Sequence, residues 1–211
     1  MAKLEIEKEL IDKNYKHICG VDEAGRGPLA GPVVVACVEM PLDNDKIIEE
    51  IDDSKKLSEK KREKLYEEII KTAIQYKIAV VDNFVIDDIN ILEATKLGMN
   101  DVMNGMINPD IILIDAVQIS DASCKTMSII HGDALSYNIA AASIIAKVTR
   151  DRMMREFDKI YTGYGFSKHK GYGTKAHYEA IEKLGICPIH RLSFLKSVKI
   201  IKNNKDKDKN I

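Results

Sequence analysis

The chain reads as α/β, a mixed sheet with helices packed around it, and three observations predict this. Short β-branched runs such as Val33-Val34-Val35 and Ile111-Ile112-Leu113-Ile114 alternate with longer stretches that carry apolar residues at helical spacing. The segments follow the order strand, strand, helix, strand, helix, strand, strand, long helix and helical tail, which suits a sheet flanked by helices better than a barrel. A 45% hydrophobic content with 32 basic and 33 acidic residues in 211 fits a water-soluble chain with one substantial core.

Each element has its own local reason. Residues 3–14 place Leu4, Ile6, Leu10 and Ile11 at helical intervals, predicting a short amphipathic helix. Residues 18–21 and 33–39 are strand candidates on either side of the turn run Ala24-Gly25-Arg26-Gly27-Pro28. Ser58 is placed to cap a helix running to about Ile74, with Lys61 where Glu would complete a reciprocal cap. Leu65, Ile69 and Ile70 give that helix its apolar face. Residues 76–81 predict a strand and 85–104 a helical region with Ile89, Leu92, Leu97 and Met103 facing inward. After the Asn108-Pro109 turn, residues 111–115 form an apolar strand that ends in a carboxylate. Residues 126–130 predict another strand, and the stretch from Ala134 to about Phe157, free of Gly and Pro, a long helix. From Tyr161 a Gly/Tyr/Lys/His loop leads into a helix near Thr174, and the polar tail after Ile201 is expected to fray. One folded unit is expected, with a helical lead-in at 1–16, a core at 17–160, a substrate-binding loop and helices at 161–200, and a tail at 201–211.

The four cysteines, Cys19, Cys37, Cys124 and Cys187, show neither CxxC nor zinc-ligand spacing, and the first two sit in apolar runs as small buried hydrophobes. A charged N-terminus without an apolar signal region, and no run of membrane-spanning length, lead to the expectation of a reducing, cytoplasmic setting without membrane contact. A net charge of −1 gives no global attraction to nucleic acid, so any such contact must come from local basic patches.

Chemistry concentrates at acidic positions. Asp22 and Glu23 stand where an apolar strand meets the Gly-rich turn; a tight turn between two strands is the plainer reading. Asp115 ends a strand, where ligands of open α/β sheets gather, although it could simply begin a loop. Asp133 precedes the long helix and could equally cap it. If strand ends bring Asp22, Glu23, Asp115 and Asp133 to one sheet edge, their repulsion calls for a cation, and all-oxygen ligation favours Mg²⁺ or Mn²⁺ over zinc. Two such ions about 4 Å apart would activate water and stabilise the leaving oxygen in in-line attack on a phosphodiester. Asp151, with Lys147, Arg150 and Arg152 nearby, reads as part of a structural ion-pair network.

Substrate contacts are expected from three places. Ser54, Lys55 and Lys56 offer a hydroxyl and two cations, equally at home on a solvated surface. The run Ser167-Lys168-His169-Lys170-Gly171-Tyr172-Gly173 sets lysines and a histidine around a tyrosine held between glycines, suited to backbone phosphates and ring stacking. Ser143 and Lys147 share one face of the long helix, either for close packing or for phosphate. His131, His169 and His190 lack paired-ligand spacing, which disfavours a zinc hydrolase.

Taken together, these residues closely resemble the bacterial ribonuclease HII family of type 2 ribonucleases H. The matching motifs are GVDEAGRGPLAGPVV at 20–34, DSKKLS at 53–58, NILEAT at 90–95, LID at 113–115, GDA at 132–134, IAAASIIAKVTRD at 139–151, GFSKHKGYGTKAH at 165–177 and PIHRLSF at 188–194. The resemblance spans roughly residues 17–195. It implies a ribonuclease H-like fold with a C-terminal helical extension. It also implies endonucleolytic cleavage of RNA in RNA/DNA hybrids and at single ribonucleotides in duplex DNA, on their 5′ side, leaving 5′-phosphate and 3′-hydroxyl ends.

The resemblance carries the metal-binding and catalytic roles onto Asp22, Glu23, Asp115 and Asp133, with Mn²⁺ or Mg²⁺ as cofactor. It assigns 2′-OH recognition to Gly25, Arg26 and Gly27, and stacking on the downstream deoxyribose to Tyr172. Arg26 and Tyr172 favour type HII over type HIII, whose usual turn is Gly-Lys-Gly. One departure is Ala116-Val117 where the family commonly continues with Gly and Asn. No sliding-clamp motif is seen in the tail, so no obligate protein partner is expected, and a monomer should suffice. A DNA-only nuclease using the same chemistry, or a noncatalytic hybrid-binding module, are the competing expectations.

Overall fold

The computed structural model describes residues 4–195 except 116, 118, 120, 121 and 123. The Ala116 departure and the tail therefore lie outside the described residues. Helix α1 (Glu5–Asp12) leads into β1 (Ile18–Ala24) and β2 (Val33–Glu39), followed by α2 (Glu59–Thr72) and β3 (Gln75–Val81). Two helices, α3 (Asn83–Ile89) and α4 (Ile91–Asn104), precede β4 (Ile111–Asp115) and β5 (Thr126–Ile129). A short α5 (Gly132–Leu135) leads to the long α6 (Tyr137–Ile160), then α7 (Phe166–His169) and α8 (Lys175–Leu184).

The five strands form one mixed sheet in the order β3-β2-β1-β4-β5. The β2 strand pairs antiparallel with both β1 and β3, while β1, β4 and β5 run parallel. Parallel pairing of β1 with β4 aligns Ile18 with Ile111 and Val21 with Ile114, so that Asp22 and Asp115 emerge side by side at the same carboxyl edge. The strand alternation of β2 separates two cores. Ala36 and Val38 pack with Ala140, Ala141 and Ile144 of α6, whereas Val35 and Cys37 pack with Met99, Val102 and Met103 of α4. Cys19 also lies in the second core, as its sequence context predicts.

Gly20 is where α6 lies directly on β1. A Cβ there would sit 2.3 Å from the backbone C of Asn138 and N of Ile139, so the start of α6 can reach the sheet over a glycine alone. The same helix end is fixed from α1. Glu7, fully buried, accepts hydrogen bonds from Ser136 Oγ at 2.6 Å and Asn138 N at 3.1 Å, and burial holds its carboxyl above the ordinary value. A carboxylate at a helix N-terminus meets the positive end of the peptide dipoles.

Three local expectations need correction. The helical region 85–104 is two helices, because Asn90 adopts φ 68° and its side chain accepts from Leu92 N and Glu93 N. Leu92 and Leu97 face outward, and the buried stripe is Ala94, Thr95, Gly98, Met99, Val102 and Met103. The reason is closeness: Gly98 lies against Val35, which leaves no room for a leucine-sized face. The long helix also begins later than expected. Ser136 is extended, caps Ile139 N at 3.2 Å and breaks the helix there, so Asp133 belongs to α5 and is not the cap of α6.

Candidate active site

Strand β1 delivers Asp22 and Glu23, β4 delivers Asp115, and α5, entered through a turn at His131, delivers Asp133. That turn is tight: His131 has φ 58°, and Gly132 N donates to Asp115 Oδ1 at 2.8 Å, tying the two segments together. As a result, carboxylate oxygens of Asp22, Asp115 and Asp133 lie within 4.8 Å of one another. Asp22 is buried, and its carboxyl is pushed well above the usual range, first by burial and then by the charges of Glu23 and Asp115. Burial also raises Asp115 and Glu23, with Arg26 pulling Glu23 back.

Glu23 stands beside the three aspartates without joining their cluster. Its Oε1 accepts from Arg26 Nη1 at 3.4 Å, while its buried Oε2 has no hydrogen-bond partner among the described residues. Lys55 reaches in from the loop before α2, where its ammonium donates to Asp133 Oδ2 at 2.8 Å and is held up at about 12 by that bond. Three aspartates crowded within 4.8 Å, with Glu23 at their margin, form an all-oxygen donor set suited to hard divalent cations.

Asp22, Glu23, Asp115, Arg26 and Lys55 line a cleft of about 230 Å³, with Asp133 held behind it by its bond to Lys55. Of the sequence-predicted contacts, Gly25, Arg26, Gly27, Ser54, Lys55, Ser143, Lys147 and Tyr172 share it with Asp22, Glu23 and Asp115. Ser143 Oγ donates to Ala140 O, and Lys147 donates to Asp151 Oδ1 at 2.8 Å. The half-exposed ring of Tyr172 stands over Gly27, 3.6 Å from where a Cβ would be. Three predicted contacts lie outside the cleft lining. Lys56 is exposed and pairs with Asp52 at 3.4 Å. Lys170 is buried, donating to Ser167 O and lying 3.9 Å from Glu59. His169 is bonded to Tyr164 O at 2.8 Å and to Gly171 N at 3.2 Å, so both ring nitrogens serve the loop.

Two buried arginines that the sequence reading did not assign to this turn shape it. Arg191 donates to the carbonyls of Gly25 at 2.7 Å, Arg26 at 3.0 Å and Gly31 at 2.9 Å. Arg150 donates to the carbonyls of Pro32 at 2.9 Å, Ala30 at 3.1 Å and Lys170 at 2.9 Å, linking the turn to the tyrosine loop. Burial lowers Arg150 to about 10 and Arg191 to about 9. Gly25, at φ +103°, would place a Cβ 2.1 Å from Arg150 Nε, so both its conformation and its neighbour demand glycine. Arg150 is thus not part of an ion-pair network with Asp151. Asp151 pairs instead with Lys147 and, at 4.0 Å, with Arg62, and Arg152 with Glu63 and Glu67. The signal available in sequence was Arg191 within PIHRLSF, a cation flanked by apolar residues.

Beneath Tyr172 lie His177 and His190, both fully buried, with their Nε2 atoms 3.1 Å apart. Burial lowers His177 to about 4 and lowers His190 in the same direction. The unfolded chain binds a proton at His177 near pH 6.5 and the folded chain near 4. Stability is therefore unaffected above 6.5 and falls as pH drops through that window, by up to about 3 kcal/mol. Urea titrations at pH 7 and pH 4.5 should show the loss, and His177→Asn should shrink it.

Among the described residues no helix is long and apolar enough to cross a membrane. A sequence profile described as Ribonuclease HII matches residues 19–197. Ribonuclease HII of Caldicellulosiruptor bescii is 56% identical over 195 residues, covering 92% of this chain and 94% of its own. That of Clostridioides difficile is 53% identical over 193 residues, covering 91% of this chain and 75% of its own. Among solved structures, ribonuclease H2 from Pyrococcus horikoshii superposes with TM-score 0.76 at 27% identity, covering 90% of this chain and 99% of its own. Ribonuclease HII from Archaeoglobus fulgidus, solved in complex with PCNA, gives 0.75 at 25%, covering 87% and 96%.

Proposed function

Because this chain belongs to the ribonuclease HII family of metal-dependent endonucleases, which cleave the RNA strand of RNA/DNA hybrids, we propose that its acidic cleft also cuts duplex DNA 5′ of a single embedded ribonucleotide. The observation that carries this reading is that Asp22 and Asp115, which lie with Asp133 within 4.8 Å of one another, share one cleft with the Gly25-Arg26-Gly27 turn and the ring of Tyr172.

Asp22, Asp115 and Asp133, with Glu23 completing the set, hold the divalent cations, Mg²⁺ or Mn²⁺. When bound there, such cations would supply the Lewis acidity for water activation and for the departing oxygen, giving 5′-phosphate and 3′-hydroxyl ends. The chain's own groups supply selection. Gly25 and Gly27 let a ribose approach the backbone, and the turn reads its 2′-OH, the group that separates RNA from DNA at one nucleotide. Tyr172 stacks against the deoxyribose that follows, so the two contacts together read an RNA-to-DNA step. Lys147 and Lys55 face the phosphates, with Ser54 and Ser143 closing the cleft wall. Lys56, His169 and Lys170 have no substrate contact in this reading, since they lie outside the cleft lining that Lys55 and Lys147 share.

The test is cleavage of a labelled DNA duplex carrying one internal ribonucleotide, beside an all-DNA duplex and a long hybrid, with Mg²⁺, Mn²⁺ or EDTA. A cut confined to the 5′ side of the ribonucleotide and abolished by EDTA is expected. Cutting of the long hybrid without the single ribonucleotide would overturn the junction reading.

A further inference from the structure

We propose that His177 and His190 act as a neutral, directional hydrogen-bonded pair that positions Tyr172 through its main-chain carbonyl, making them positioning residues for recognition of the RNA-to-DNA step. The proposal rests on the reading of Tyr172 given above.

The direction of the chain follows from its ends. Tyr172 O can only accept, and His177 Nδ1 lies 3.0 Å from it, so His177 carries its proton on Nδ1. His177 Nε2 is then an acceptor, and the 3.1 Å contact to His190 Nε2 requires the proton on His190. His190 Nδ1 is left as an acceptor, and Cys187 N donates to it at 2.9 Å. Cys187 Sγ at 3.1 Å and Cys187 O at 3.2 Å also lie near His190 Nδ1; the thiol can donate to it, and the carbonyl takes its proton from His190 N at 3.0 Å, so both rings are neutral, in opposite tautomers. Full burial of both rings disfavours a charge on either.

The pair is also locked in place. Phe166 meets the edge of His177 at 5.4 Å, and His169 stacks on it at 4.4 Å between ring centroids, at 18°. His169 in turn accepts from Gly171 N, and its carbonyl accepts from Tyr172 N at 2.9 Å. The main chain on both sides of Tyr172 is therefore fixed by stacked imidazoles, while its ring, 44% exposed, faces the cleft. A ring that selects by stacking must be held at its root, because displacement by about 1 Å can cost a reaction roughly a hundredfold.

Two amide replacements separate the positioning bond from packing. His177→Asn retains a donor near the Nδ1 position, toward Tyr172 O, whereas His177→Gln retains an amide near Nε2, toward His190. The readout is the ratio of cleavage of a single-ribonucleotide duplex to cleavage of a long RNA/DNA hybrid, with thermal melts to verify folding. His177→Asn should keep the wild-type ratio, and His177→Gln should lower it by about tenfold, since the tyrosine and not the chemistry is disturbed. Equal ratios in the two variants would overturn the proposal. Nitrogen NMR of the histidine rings gives a second readout free of activity: the Nδ1-H form for His177 and the Nε2-H form for His190 are expected, and any other pairing overturns it. Tyr172→Ala distinguishes the two layers. If it leaves the ratio unchanged, the reading of Tyr172 itself fails; if it lowers the ratio while His177→Gln does not, only the histidine pair is excluded.

Discussion

Replacing Asp22 with Asn removes cleavage of both the hybrid and the single-ribonucleotide duplex, on the order of 10³-fold or more, while raising the melting temperature of the metal-free protein. The two effects share one cause. Asp22 is buried, and burial raises its carboxyl first, with the charges of Glu23, Asp115 and Asp133 adding to it. The folded state therefore holds this proton more tightly than the unfolded chain does. Stability present at low pH is lost as pH rises from the unfolded value of 3.8 through the raised folded one, so at neutral pH the ionised Asp22 is a net cost without a cation. Asn is nearly isosteric, keeps an Oδ1 to accept from Glu23 N, and carries no charge. Added Mg²⁺ or Mn²⁺ should raise the wild-type melting temperature and have a much smaller effect on Asp22→Asn, because binding to the native state alone stabilises it. Calorimetry with and without Mg²⁺, beside the cleavage assay, checks both. Full activity in the variant would refute the role of Asp22.

The acidic edge of the sheet was legible because its logic is local to strand ends. A run such as Ile111-Ile112-Leu113-Ile114 has little choice but to be a buried strand, and the carboxylate that closes it must appear at the sheet's edge. Once β1 and β4 are read as strands of one sheet, Asp22 and Asp115 can be neighbours. Their parallel register, which makes them so, depends on pairing between segments about ninety residues apart and is a tertiary fact.

Misreadings arose where a small or polar residue outweighed an apolar pattern. Leu92 and Leu97 carry the larger hydrophobic signal, yet α4 buries the side holding Ala94 and Gly98, because close approach to Val35 rewards small size. Ser136 interrupts a stretch of good helix formers through its own cap to Ile139 N, and that break turns Asp133 from a cap into a member of the aspartate cluster. Lys170 and His169 illustrate a different limit. A Gly/Lys/His/Tyr run reads as substrate-facing throughout, but folding assigns the cation and the imidazole to the loop's own carbonyls and amide and leaves Tyr172 outward. Nor does spacing alone reveal that His177 and His190, thirteen positions apart, share a hydrogen bond.

Arg191→Met should cost on the order of 3–5 kcal/mol of stability, measured by urea unfolding, and should reduce cleavage even where the chain remains folded. Three guanidinium hydrogen bonds end on the carbonyls of Gly25, Arg26 and Gly31, two of them within the turn proposed to read the ribose. With Met in place the side-chain volume is roughly retained, but the acceptors lose their donors in a region where water has little access, at about 1–3 kcal/mol each. Arg191→Lys offers little rescue, since a single ammonium cannot reproduce a planar fork that spans three acceptors. Arg150 supports the same loop from the other side through Ala30 and Pro32. Its replacement by Met should therefore combine with Arg191→Met less than additively, the first loss having already released the loop that the second would free. A cost below about 1 kcal/mol for Arg191→Met, the worth of one ordinary hydrogen bond, would mean that the turn holds its shape without the guanidinium. Retained cleavage in a destabilised but folded variant would separate stability from the turn's role in reading the ribose, and would locate that role in Gly25 and Gly27 alone.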